Sequence, residues 1–398
     1  MTNSAPVPAT APFEASSLRG LAAALIVVGL GAFAWLLVAG QPQRAWAGVL
    51  IGTMIPTWIF FGALFFLASH SLGGARWTIP VRRLIEGLTS GLPAVILGFL
   101  LLFAVGAPFV WEWAFPGADR AHLFATPAKD AWMSPLRWGV TTAAILAVWL
   151  VLRGGLVGQS LGQDAGGSMT AHKRWSVAAL ILGVLTFSLF TWDFLLSLDV
   201  HAVSAIWGLY CFAGAVQTFL AVLVLVVVWL RQGPLAGVVR DHTLHDLGTW
   251  TLAWGCIVAY AALCQYMMIY FADIPEERGW LALRTSGAYG NFYAFEAVLR
   301  TAIPFALLMS QSLRTRPVAL ALAAAAALAG NLLDLAWMVV PGIGSHPGNL
   351  PLFGPELLVS LAFAGLAALL FAGFWKRHGL VPKGDPGLDA AIRAEHLH

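Results

Sequence analysis

Ionisable residues are scarce in this chain, and several fall where charge is costly, inside or at the ends of long apolar stretches. Glu296 and Arg300 lie four apart in the stretch beginning at Ala288. At about 1.5 Å per helical residue they sit about 12 Å and 18 Å into it. The spacing puts both on one helix face, where each lowers the cost of burying the other. Pro304 has no N–H to donate to the carbonyl of Arg300, so a free acceptor is expected in the same zone. Asn331 and Asp334, three apart, share a face of the stretch beginning at Val318. Asp193 ends the stretch from Trp175, and the chain then turns through Asp199 and His201 directly into the next stretch. Gln265 and Tyr266 lie about 27 Å along the stretch from Leu247. If the stretches alternate in direction, these groups all fall in one half of the bilayer, with Glu356 and Glu112 at the same ends. Glu86, beside Arg82 and Arg83, sits at the opposite end and reads as an interfacial residue.

Acids and a histidine gathered around a fixed guanidinium are suited to accepting protons and handing them on. Oxidising a quinol releases two protons, each needing an acceptor that leads toward water. Asp193, Asp199, His201, Glu296, Arg300 and Asp334 therefore make a candidate proton route, and Gln265, Tyr266 and Glu296 a weaker candidate quinone pocket. Structural roles stand beside these. Asp193, Asp199 and His201 can cap a helix junction, Glu296 and Arg300 can lock helix packing, and Asn331 with Asp334 can hydrogen-bond between helices. No residue is assigned a catalytic role.

Redox or metal chemistry within the chain has little support. Cys211, Cys256 and Cys264 form no CxxC or CxxCH motif and read as small hydrophobes packed between helices. His70, His201, His245 and His346 stand at stretch ends or in loops, so no haem-ligating pair can be assembled at mid-depth. No metal site and no covalently bound cofactor is expected, whereas a bound quinone or quinol remains open.

The elements that must position these groups are ten apolar stretches of about 20 residues, beginning at Gly20, Trp46, Leu84, Leu136, Trp175, Ala202, Leu247, Ala288, Val318 and Phe353. With 59% hydrophobic and 10% charged residues the chain has too little polar surface for a water-soluble globule. The expected fold is an all-α integral membrane protein of ten transmembrane helices over 19–378. Short tails at 1–18 and 379–398 are rich in small residues, proline or charge and read as flexible. Arg19, the apolar run and Ala45-Trp46-Ala47 mimic a signal peptide, but the run is long enough to be the first span.

Fifteen of the 22 basic residues fall on the side of both termini and six on the other, with Arg300 inside a helix. Both termini are accordingly expected in the cytoplasm. A net charge of +3 dispersed over short loops argues against nucleic acid as a partner. Two longer loops on the opposite side, 106–133 and 272–287, are rich in Trp, Pro and acids and would suit docking of extramembrane partners. Spans two to five and six to nine would share one topology, giving two four-helix bundles and two flanking helices, although no sequence repeat is readable.

Four stretches resemble the F-type membrane subunit of bacterial alternative complex III, within the NrfD and polysulfide reductase membrane-subunit superfamily. They are TWDFLLSLDVHAVSAIWGLYCFAG at 191–214, HDLGTWTLAW at 245–254, CQYMMIYFADIPEERGW at 264–280 and ASHSLGGARWTIPVRRLIEGL at 68–88. Asp193, Ser197, Asp199 and His201 match the family pattern. Phe194, Val200 and Ala202 stand where it carries an aromatic, a proline and an aromatic. The resemblance implies two four-helix bundles, a homologous C-type membrane partner, and external subunits carrying c-type haems and iron–sulfur clusters. It also implies a place in quinol oxidation in which this chain conducts protons or acts as scaffold. The membrane anchor of a polysulfide- or nitrite-reductase-type complex is the related alternative. A secondary transporter is the alternative from another class, and would require two broken helices at matching positions.

Overall fold

The computed structural model describes Phe13, 15–114, 117–119, 123–124, 126–343 and 353–393. The N-terminal tail before Phe13, His346 and the middle of the 106–133 loop lie outside the described residues. Within them the chain is helical and contains no strand. Among the described residues nine helices are long and apolar enough to cross a membrane. Backbone N–H and C=O groups find no partners in lipid, so a chain of this composition satisfies them within helices.

The principal helices are α1 (Ser16–Val38), α2 (Pro42–Leu72), α3 (Ile79–Leu88), α4 (Leu92–Leu101), α5 (Pro135–Asp164), α6 (His172–Phe194), α7 (Trp207–Arg231), α8 (Asp241–Ala272), α9 (Pro275–Thr285), α10 (Gly287–Ala297), α11 (Ile303–Leu308), α12 (Pro317–Val339), α13 (Gly354–His378) and α14 (Leu388–Arg393). α3 and α4 belong to one span, Arg76–Val110, which includes a π-helical segment at Leu102–Gly106.

α2 is the central shaft: 94% of its most apolar window is buried, against 17% for α1 at the periphery. α2 packs on α4, α6, α7 and α13, and α5 packs on α6. α7, the next most buried, packs on α8 and α12, and α11 packs on both α8 and α12. Small residues allow these approaches, as is usual where helices associate without a hydrophobic drive. A Cβ at Gly29 of α1 would stand 2.4 Å from the Ala362 nitrogen of α13, and one at Gly62 of α2 would stand 2.5 Å from the Phe219 Cβ of α7.

The stretch expected as an uninterrupted span from Ala288 is composite. α10 passes through a π-turn at Val298–Ala302 into α11, which carries Pro304 near its start. Asn291, Glu296 and Arg300 lower its hydropathy, so it does not count among the nine apolar spans.

Three further readings are revised. Residues 379–393 pack against the bundle, with Leu380, Val381, Leu388 and Ile392 buried and Asp385 Oδ2 2.5 Å from Arg82 Nη1. Composition missed this because the segment has few large apolar residues, and these four are all placed inward. Cys256 is exposed and Cys264 half-buried, so only Cys211 is packed between helices. Glu86 is 1% exposed. It is paired with Arg83, and Arg82 Nε lies 3.6 Å away, so it belongs to a buried ion network rather than to the interface.

Candidate functional site

Arg300 lies in the π-turn, and the guanidinium is enclosed by helices α7, α10 and α12. Gly330 of α12 lets the turn come close, since a Cβ there would meet the Arg300 nitrogen at 2.5 Å. Gly214 of α7 makes room for the head, with Arg300 Nη2 2.9 Å from where its Cβ would be. Glu296 Oε1 is 3.3 Å and Asp334 Oδ2 2.9 Å from Arg300 Nη1. The Tyr210 hydroxyl accepts from Nη1 at 2.9 Å and itself donates to Asp334 Oδ1. All four side chains are buried. The carbonyl that Pro304 frees is taken up: Gln217 Nε2 donates to Arg300 O at 2.9 Å, and Asn331 Nδ2 donates to Gln217 Oε1 at 2.9 Å. Among the described residues Arg300 Nε and Nη2 have no hydrogen-bond partner.

Two carboxyls share one guanidinium here. With both ionised the group carries net negative charge, which is expensive at this depth, and with one proton held it is neutral. Such a trio has the chemistry to hold one exchangeable proton, and the Tyr210 hydroxyl touches both Arg300 and Asp334.

The expected residues divide into separate groups. Glu296, Arg300 and Asp334 come together. Asp193 does not join them: it ends α6 and accepts from Arg137 Nη1 of α5 at 2.8 Å and 2.7 Å. Arg137 in turn lies over the Trp132 ring, 4.3 Å from its centroid. Asp199 and His201 are linked in the turn beyond α6, where the His201 N–H donates to Asp199 Oδ1 at 2.9 Å and His201 is exposed. Two cations outside the apolar spans face Asp199. Lys129 and Arg284 are both pulled down in pKa by burial, and the Asp199 carboxylate opposes the shift in each case.

Gln265 and Tyr266 line a cleft with Tyr210, Trp207, Trp280 and Tyr293 of about 20 Å³, room for a water molecule and too small for a quinone ring. Gln265 also lines a second narrow cleft that reaches Ser204 and Glu277, and the Ser204 hydroxyl donates to Gln265 Oε1 at 2.5 Å. Trp207, Gln265 and Trp280 are common to both clefts, so polar groups lead from Tyr210 toward Glu277 near the start of α9.

Sequence reasoning missed Tyr210, Gln217 and Arg137. Tyr210 and Gln217 lie seven apart in an apolar run, two turns of one helix face, and that spacing of polar groups was the available signal. Arg137, counted as a loop cation, gave no sign of its partner.

Fold and site together define a multi-pass helical membrane protein with a buried ionisable cluster. No protein-family model matches the chain, and comparison with curated proteins finds no match.

Proposed function

We propose that this chain crosses a bacterial inner membrane ten times, as a proton-conducting subunit of a quinol-oxidising complex of the alternative complex III type. The observation that carries the proton reading is the Arg300–Glu296–Asp334 trio, joined through Tyr210 to clefts that lead past Gln265 to Glu277. Glu296 or Asp334 holds one proton, and Tyr210 with a water in the adjoining cleft passes it outward along a hydrogen-bonded line. Asp193, held by Arg137, and Asp199 with His201 shape the charged outer surface near the exit.

Ten crossings are supported by the ends of the chain. Phe13 packs against Trp229 and Trp375, with centroids 6.3 Å and 6.0 Å away, at the end of the bundle where Asp385 meets Arg82. Chain ends at one end of the bundle support an even number of crossings, with the composite α10–α11 as the proposed tenth. The packing supports two four-helix bundles, α2 to α6 and α7 to α12, with α1 and α13 flanking. A homologous C-type membrane subunit and external subunits with c-type haems and iron–sulfur clusters complete the proposed complex, in which quinol is oxidised elsewhere than in the 20 Å³ cleft.

The transporter alternative loses support from the helix breaks. The π-segments at Leu102–Gly106 and Val298–Ala302 fall in the third and eighth spans, which are not counterparts when spans two to five are matched to six to nine.

The test is quinol turnover and proton release by the intact complex in liposomes. Glu296→Gln and Asp334→Asn are nearly isosteric and should assemble yet lower proton yield. Parent rate and yield in both assembled variants would reject the proton role.

A further inference from the structure

At the end of the bundle carrying the arginine-rich loops, α2, α3 and the start of α6 enclose a cavity of about 200 Å³ that belongs to none of the groups above. A single water needs about 10–15 Å³, so the space is sized for a larger guest. His70, His172, Arg76, Arg82 and Asp385 line it. His70 and His172 are 6% and 8% exposed, and neither His70 Nε2 nor His172 Nδ1 has a hydrogen-bond partner among the described residues. Buried polar atoms of this kind are normally satisfied, so two unsatisfied ones lining one cavity point to a ligand.

The donor and acceptor pattern narrows its chemistry. His70 Nδ1 lies 3.0 Å from the Phe66 carbonyl, which can only accept, so the neutral ring carries its proton on Nδ1 and presents a bare lone pair at Nε2. The ligand must donate a hydrogen bond there. Arg76 is exposed and has no partner among the described residues, whereas Arg82 is engaged by Asp385 at 2.5 Å and Gln163 at 3.1 Å. Arg82 is shared by Asp385 and Glu86, so among the cavity-lining cations it is Arg76 that is open to a singly charged anion. Phe66, Leu67 and Ile85 make the apolar wall, and Leu72, at the end of the same helix, is 38% exposed beside it.

We infer that this cavity binds the phosphoglycerol headgroup of an anionic phospholipid, its phosphodiester against Arg76 and Arg82 and a glycerol hydroxyl donating to His70 Nε2. Basic pockets between transmembrane helices suit phosphate headgroups. A choline headgroup has no hydrogen to donate, and zwitterionic lipids bring a second cation beside Arg76.

The experiment is native mass spectrometry of the full-length protein released from nanodiscs of phosphatidylglycerol, phosphatidylethanolamine or phosphatidylcholine, with parallel titrations of free glycerol 3-phosphate and inorganic phosphate. Phosphatidylglycerol should be retained in preference to the other two. Arg76→Gln, at an exposed position that leaves the fold undisturbed, should weaken retention about five-fold. His70→Phe keeps the aromatic stack on Phe66 and should reduce selectivity for phosphatidylglycerol over phosphatidylethanolamine. Arg19→Gln, outside the cavity, should change neither. Equal retention of the three lipids, or unchanged retention in Arg76→Gln, overturns the inference. Binding of glycerol 3-phosphate or inorganic phosphate without preferential lipid retention overturns the assignment to lipid.

Discussion

Arg300 holds three helices in register through one side chain, so its loss should exceed the loss of any single acid. Arg300→Ala leaves Glu296 and Asp334 buried without a cation, a defect that costs about 3–5 kcal/mol in folded proteins. The expected result is a large drop in thermal stability and in yield of the purified protein, with Glu296→Gln milder. Tyr210→Phe removes one hydroxyl from the middle of the cluster and leaves the ion pairs in place. It should assemble normally and lower proton release, measured with a pH indicator inside liposomes. The triple variant Glu296→Leu, Arg300→Met, Asp334→Leu separates structure from function. Replacing a whole buried ionic group by apolar residues is often neutral or stabilising by about 1–4 kcal/mol. That variant should therefore keep its stability and lose proton transfer, and retention of both would show that the cluster is dispensable packing.

The element on which the site depends is the interrupted helix α10–α11. Pro304 denies a donor to the Arg300 carbonyl, the backbone widens into a π-turn, and Gln217 supplies the missing N–H from α7. α12 closes over this turn only because position 330 has no side chain. Gly330→Val should force α12 away from the turn, at a cost of about 1–3 kcal/mol by overpacking. Gly330→Ala should fall between the parent and Gly330→Val. A melting series of the three proteins in one detergent checks the order, and equal melting temperatures would contradict the close approach.

For the whole molecule the charge distribution is the strongest guide. Loops rich in arginine gather at one end, where Arg82, Arg83, Glu86, Asp164 and Asp385 form a connected network. At the other end the fewer cations are largely committed: Arg44 to Glu356, Arg137 to Asp193, with Arg284 buried. The excess of free positive charge at the first end is greater than residue counts alone suggest, which favours cytoplasmic termini. Single cysteines at positions 4 and 398, in a variant whose three native cysteines are replaced by alanine, should be labelled by an impermeant reagent only from the cytoplasmic side. Purification of the chain from native membranes should also bring down a second polytopic subunit and c-type haem proteins, identified by mass spectrometry and haem staining.

The membrane class, the helical fold and the Glu296–Arg300 pairing were legible in the sequence because each rests on local rules. Apolar length, self-satisfied backbone hydrogen bonds and the four-residue spacing of a helix face need no knowledge of neighbours. Pro304 likewise announced a free carbonyl, though not that Gln217 would take it. What only the tertiary structure decided was partnership across helices. Asp334 met Arg300 while Asp193, at similar depth on another helix, went to Arg137, and Tyr210 became a link between Arg300 and Asp334. Depth along a helix follows from residue number, but rotation about the axis and choice of neighbour follow from how small residues such as Gly214 and Gly330 let helices approach. That information lies in the packing of side chains far apart in the chain, and no local pattern carries it.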